Sequence, residues 1–123
     1  MDIHEVRERG TVVVAPVGRI DSTTSDRLEQ HLVKLLASGE RKVVVDFAGV
    51  EYISSAGLRV LMLAARQAKD QGGDVVAANF QPVVQQIFEI SRFNLLFRVF
   101  ENVGQALAEL SPAAAAAYGA KRA

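Results

Sequence analysis

The sequence predicts an α/β fold: a mixed, mostly parallel sheet of about four to five strands with about four helices. Two observations carry that expectation. The β-branched runs Val12-Val13-Val14, Val43-Val44-Val45 and Val75-Val76 alternate along the chain with segments whose apolar residues recur at helical spacing. The chain has 123 residues, of which 50% are apolar and 23% charged, which suits one packed domain rather than disorder.

Ile3 to Arg9 alternates loosely, and Gly10 offers a turn into Thr11-Val12-Val13-Val14-Ala15, so the chain opens with a hairpin. Pro16 has no N–H to donate and must sit at an edge, a bulge or a strand end. Gly18-Arg19-Ile20-Asp21 leads into Ser22-Thr23-Thr24-Ser25-Asp26, a dense helix-start signal. Thr23 and Asp26 have capping-box spacing, although a neighbour could equally be the cap. Leu28, Leu32, Leu35 and Leu36 form the apolar face of the helix that follows, and Gly39 ends it.

Val43-Val44-Val45 reads as a strand covered on both faces. A short turn then leads to Ser54 and Ser55, where a second helix begins, with Leu58, Leu61, Met62, Ala65 and Ala68 on its apolar face. Gly72-Gly73 ends it, and Asp74 to Ala78 forms the next strand. Pro82 suits the first turn of a third helix carrying Val84, Ile87 and Phe88. Leu95 to Phe100 can hold a short last strand, with helix possible at its start. Asn102 caps a final helix with Val103, Ala106, Leu107 and Leu110. The domain is expected over residues 1–110, with 111–123 an alanine-rich tail, peripheral, as frayed helix or disorder.

Fourteen basic residues balance fourteen acidic ones, with no basic cluster interleaved with aromatics, which argues against nucleic acid and against a polybasic membrane anchor. There is no cysteine, so disulfides, thiolate catalysis and cysteine–zinc sites are excluded. The N-terminus lacks a secretory pattern, and no apolar run approaches the roughly 20 residues that span a bilayer. The expected location is the cytoplasm. His4 and His31 lie outside any metal-ligand spacing, and no phosphate loop or dinucleotide fingerprint is present, so no metal or cofactor is expected. A serine hydrolase is disfavoured: Ile53 stands where the nucleophile elbow needs glycine, and no histidine follows Ser55. A phosphoaspartate receiver would need an acidic pair near Asp46 to hold a divalent cation, and the early strand leads instead into Ala15-Pro16-Val17.

Gly18-Arg19-Ile20-Asp21, Val43-Val44-Val45-Asp46-Phe47 and Tyr52-Ile53-Ser54-Ser55-Ala56-Gly57-Leu58, in register with Gly72-Gly73-Asp74, the Pro82 helix and Phe93, resemble the anti-sigma factor antagonist family, built on the STAS domain. The resemblance covers roughly Ile3 to Leu110. It implies a STAS-type fold and a protein that is not an enzyme. In its unphosphorylated form such a protein binds an anti-sigma factor that is also a serine kinase, and so frees a sigma factor. The kinase ejects it by phosphorylating a serine, and a PP2C-type serine phosphatase restores it. By motif position that serine maps to Ser55, two residues before Gly57. Asp21 matches the acidic residue near the kinase-binding surface, and the free protein is expected to be a monomer.

Two positions depart from the commonest family pattern. Ser54 stands where aspartate is frequent, which makes it a rival acceptor, and Ala56 stands where a hydroxyl is frequent. The expected partner-binding set is Asp21, Ser54, Ser55, Gly57 and Arg59. Ordinary capping, which serines commonly provide at a helix start, is compatible with phosphorylation, and Gly57 fits either a close approach or an unusual backbone angle. A second reading keeps the fold and drops the switch: a STAS-type interaction module in a signalling scaffold or lipid-transport machinery.

Overall fold

A computed structural model describes residues 1–122. Strand β1 (Asp2–Glu8) and strand β2 (Thr11–Ile20) form the expected antiparallel hairpin, with Val6 opposite Val13. Helix α1 (Ser25–Ala37), strand β3 (Lys42–Asp46), strand β4 (Val50–Ile53) and helix α2 (Ser55–Asp70) follow. Strand β5 (Asp74–Ala78), helix α3 (Pro82–Ile90), a 3₁₀ turn over Phe93–Leu95, strand β6 (Val99–Phe100), helix α4 (Val103–Leu110) and helix α5 (Pro112–Arg122) complete the chain. The sheet order is β1-β2-β3-β5-β6, parallel from β2 onward, with β4 also pairing parallel to β2.

Because side chains alternate across a strand, the valine runs feed two cores. Val12, Val14, Val43, Val45, Val75 and Ala77 face α1, α2 and α3, where Leu28, Leu32, Leu61 and Phe88 cover them. Val13, Val44, Val76 and Ala78 face the other way, onto Val103, Ala106, Leu107 and Leu110 of α4 and Ala114 of α5.

Three sequence expectations change. Strand β4 is an addition: Val50-Glu51-Tyr52-Ile53 is a parallel strand on β2, where the sequence suggested only a turn before the serines. The last strand shrinks to Val99–Phe100, because Phe93 and Phe97 share one buried side of a helical turn (Phe97 N–H to Phe93 O, 3.0 Å) and leave Leu95 and Leu96 outside. The 111–123 segment has a helix over Pro112–Arg122, with Ala114 fully buried and exposed Lys121 Nζ 2.6 Å from Oε1 of buried Glu8. Ala123, the end of that predicted tail, lies outside the described residues. Pro16 sits inside β2 where its partner on one side changes from β3 (pairing Thr11 to Val14) to β4 (from Gly18), so no rung is interrupted there.

Candidate functional site

Asp21 and Ser54 follow the paired residues Ile20 and Ile53 at the C-terminal ends of neighbouring strands β2 and β4. The Ser54 N–H donates to Ile20 O at 2.8 Å, so the pairing continues past Ile53 to the helix start. A register shift between Gly18 and Arg19 marks a bulge in β2, with Gly18 at φ 110°, a conformation that favours glycine. The bulge brings Arg19 opposite Tyr52, with its guanidinium 4.5 Å from the ring centroid.

The two serines divide the work of the helix start. Ser54 is the N-cap: its extended backbone (φ −88°, ψ 173°) ends β4, and its Oγ accepts from Gly57 N–H at 3.3 Å. Ser55 is the first residue of α2, and its side chain is exposed with no hydrogen-bond partner among the described residues. The N–H groups of Ser55 and Ala56 lie at the positive end of the helix dipole, and the first turn carries no acidic side chain.

Gly57 is buried, and its role is close approach: a Cβ there would fall 2.6 Å from Ile20 Cγ2 and 2.7 Å from Ile53 Cγ1. Its missing side chain lets α2 begin directly against β2 and β4. Arg59 is exposed one helical turn beyond Ser55, on the same side of α2, without an ion pair among the described residues.

Asp21, not the Thr23–Asp26 pair, organises the entry to α1. Its Oδ1 accepts from Thr23 Oγ1 (2.7 Å), Thr23 N–H (2.9 Å) and Thr24 N–H (3.2 Å). Thr24 Oγ1 in turn accepts from the Asp21 N–H at 2.9 Å and donates to Arg19 O at 2.7 Å. Thr24, the N-cap of α1, makes no side-chain bond into the helix. The Thr23 hydroxyl and then its N–H hold the Asp21 carboxyl below its ordinary pKa, so it is an anion at neutral pH.

Asp21, Ser54, Ser55, Gly57 and Arg59 thus gather where β2, β4 and α2 meet. Arg19 and Tyr52 precede Ile20 and Ile53 on the same two strands, so their side chains leave the sheet on the face opposite the core-facing isoleucines. Their pairing depends on β4, which no local pattern announced. Asp46 lies at the end of β3 and accepts from Ala48 N–H (3.0 Å) and Asn79 Nδ2 (3.3 Å), a local turn role. Among the described residues there is no group of three or more histidine, cysteine or acidic side chains able to hold a metal ion. Among the described residues, no helix is long and apolar enough to cross a membrane.

Comparison with known proteins gives a consistent picture. The family model described as STAS domain matches residues 3–106. A Bordetella bronchiseptica protein named as an anti-sigma factor antagonist, BtrV, is 39% identical over 90 residues, covering 73% of this chain and 78% of that one. Among solved structures, a Thermotoga maritima protein described as an anti-sigma factor antagonist superposes with a TM-score of 0.83 at 15% identity, over 88% of this chain and 93% of that one. The anti-sigma factor antagonist SpoIIAA in its unphosphorylated form superposes with a TM-score of 0.75 at 15% identity, over 88% and 95%. At those identities the two structures speak for the fold.

Proposed function

The chain belongs to the STAS domain family, and on that premise we propose that it is an anti-sigma factor antagonist working as a phosphorylation-controlled partner switch. In this reading the unphosphorylated protein binds an anti-sigma factor serine kinase in the cytoplasm and so releases a sigma factor. Phosphorylation of Ser55 ends that binding, and a PP2C-type serine phosphatase restores it. The protein supplies the substrate hydroxyl and the partner supplies the chemistry.

The observation that carries the reading is the contrast between the two serines. Ser54 has its oxygen committed to the helix cap, whereas Ser55 presents an exposed, unengaged hydroxyl at the start of α2. A phosphoryl group on Ser55 adds about −1.5 to −2 charges at neutral pH. The helix dipole and the N–H groups of Ser55 and Ala56 favour that charge, so the fold tolerates it. A partner covering this surface would have to desolvate it beside Asp21, already an anion. A penalty of about 3 kcal/mol weakens binding by roughly a hundredfold. Asp21, at the end of the neighbouring strand β2, and Arg59, one helical turn along α2, supply charged contacts for recognition.

Incubating the purified protein with ATP and the candidate anti-sigma kinases of its own organism, then mapping the product by mass spectrometry, tests the proposal. Phosphate on Ser55, a kinase complex stable in ATP with Ser55→Ala, and weak binding of Ser55→Asp are expected. Labelling lost in Ser54→Ala but kept in Ser55→Ala would overturn the site. Absence of binding and modification by every such kinase would favour the constitutive interaction module.

A further inference from the structure

A second surface lies at the sheet edge formed by β6, away from Ser55. Between α3 and β6 runs an open groove of about 730 Å³, lined by Phe80, Phe88, Leu95, Leu96, Val99 and Phe100. Leu95 and Leu96 are each 73% exposed, an unusual placement for adjacent large apolar residues. The core-facing residues of the same turn, Phe93 and Phe97, are buried, so the leucines are displayed by a rigid base.

The groove also offers backbone and charge. Arg98 O accepts from Ala77 N–H and Phe100 O from Asn79 N–H, so those residues face β5. The N–H and C=O of Val99, between them, therefore point to the open side, and among the described residues no strand lies beyond β6 in the sheet. Arg98 is neutralised by Glu109 (3.0 Å) and Asp74 (3.8 Å). Glu89 and Glu101, which also line the groove, have no ion-pair partner among the described residues. The unpaired charge of the groove is negative.

We propose that the α3–β6 groove docks an extended segment of a partner protein whose apolar residues alternate with basic ones, added as a strand beside β6. Such a segment would pair the Val99 backbone, cover Leu95 and Leu96, and bring cations to Glu89 and Glu101. A small apolar ligand would cover the same side chains and leave those polar groups without partners. A second copy docking face to face would set each acidic rim against its own copy.

The test is a titration of the isotope-labelled full chain, followed by amide NMR, with a short blocked peptide of alternating valine and lysine. An alternating valine–glutamate peptide is the control. Shifts confined to α3, the Phe93–Leu95 turn and β6, slowed exchange of the Val99 amide, and no response to the acidic peptide are expected. Glu89→Lys combined with Glu101→Lys should weaken the basic peptide by about tenfold or more and admit the acidic one. Leu95→Ala combined with Leu96→Ala should weaken binding similarly while leaving the spectrum of the rest of the chain unchanged. The proposal is overturned by a basic peptide that leaves Val99 unmoved, or by equal binding of both peptides. Decanoate filling the groove where the peptide does not, or self-association through β6 on sedimentation, would overturn it too.

Discussion

Ser54 and Ser55 share a side-chain chemistry and differ in what surrounds it, so substitutions should separate them. Ser54→Ala removes the Gly57 cap and should lower unfolding free energy by about 1 kcal/mol in urea titration. Ser55→Ala removes no intramolecular bond among the described residues and should stay within about 0.5 kcal/mol of the parent, while abolishing the proposed phosphorylation. Asp21 gives a pH-dependent signature. Its folded pKa is lowered by Thr23 and Thr24, so its stabilisation is present above the unfolded carboxylate value and disappears as pH falls through the folded one. The melting-temperature gap between the parent and Asp21→Ala should therefore be full at neutral pH and shrink as pH drops below about 4. A gap that widened toward acid would contradict the hydrogen bonds drawn here.

At the scale of elements, the start of α2 depends on Gly57 lying flat against Ile20 and Ile53. Both contacts are with buried side chains in a packed core, so Gly57→Ala should cost about 1–3 kcal/mol by thermal or urea unfolding. If the helix start tilts to relieve the overlap, the proposed kinase binding should fall with it. The legible elements are those whose pattern is local. The leucine spacing of α1, the uninterrupted valines of β3 and the serine-led start of α2 can be read without knowing any partner. Strand β4 cannot, because four residues carry too little periodicity and its pairing partner Gly18–Ile20 lies far back in the chain. The turn over Phe93–Leu95 misleads for a related reason: a run of apolar residues says that something is buried, not which side. The same limit governs the site. Ser55, Gly57 and Asp21 are visible as motif positions, whereas Arg19 over Tyr52 exists only through the β2–β4 ladder.

At the scale of the molecule, one sheet separates two cores of unequal reach. The face under α1, α2 and α3 supports the Ser55 surface, and the face under α4 and α5 closes the back. Helix α5 follows the last residue matched by the family model and contributes Ala114, Ala115 and Tyr118 to that second core. A chain ending at Ser111 should lose stability on the order of 2 kcal/mol from exposed apolar area. It should bind more hydrophobic dye and still accept phosphate on Ser55. Loss of the modification together with α5 would show that the two faces are coupled.

The sheet between α5 and Ser55 also makes the protein convenient to watch. The sequence has no cysteine, so Ala116→Cys on the outer side of α5 would create a single attachment point for a fluorophore. The dye would ride on the opposite side of the molecule from the serine and out of the way of an arriving kinase. If the proposed switch operates, the dye's tumbling rate would slow on formation of the complex and quicken when ATP dissolves it, so each round could be timed in solution without touching the Ser55 surface.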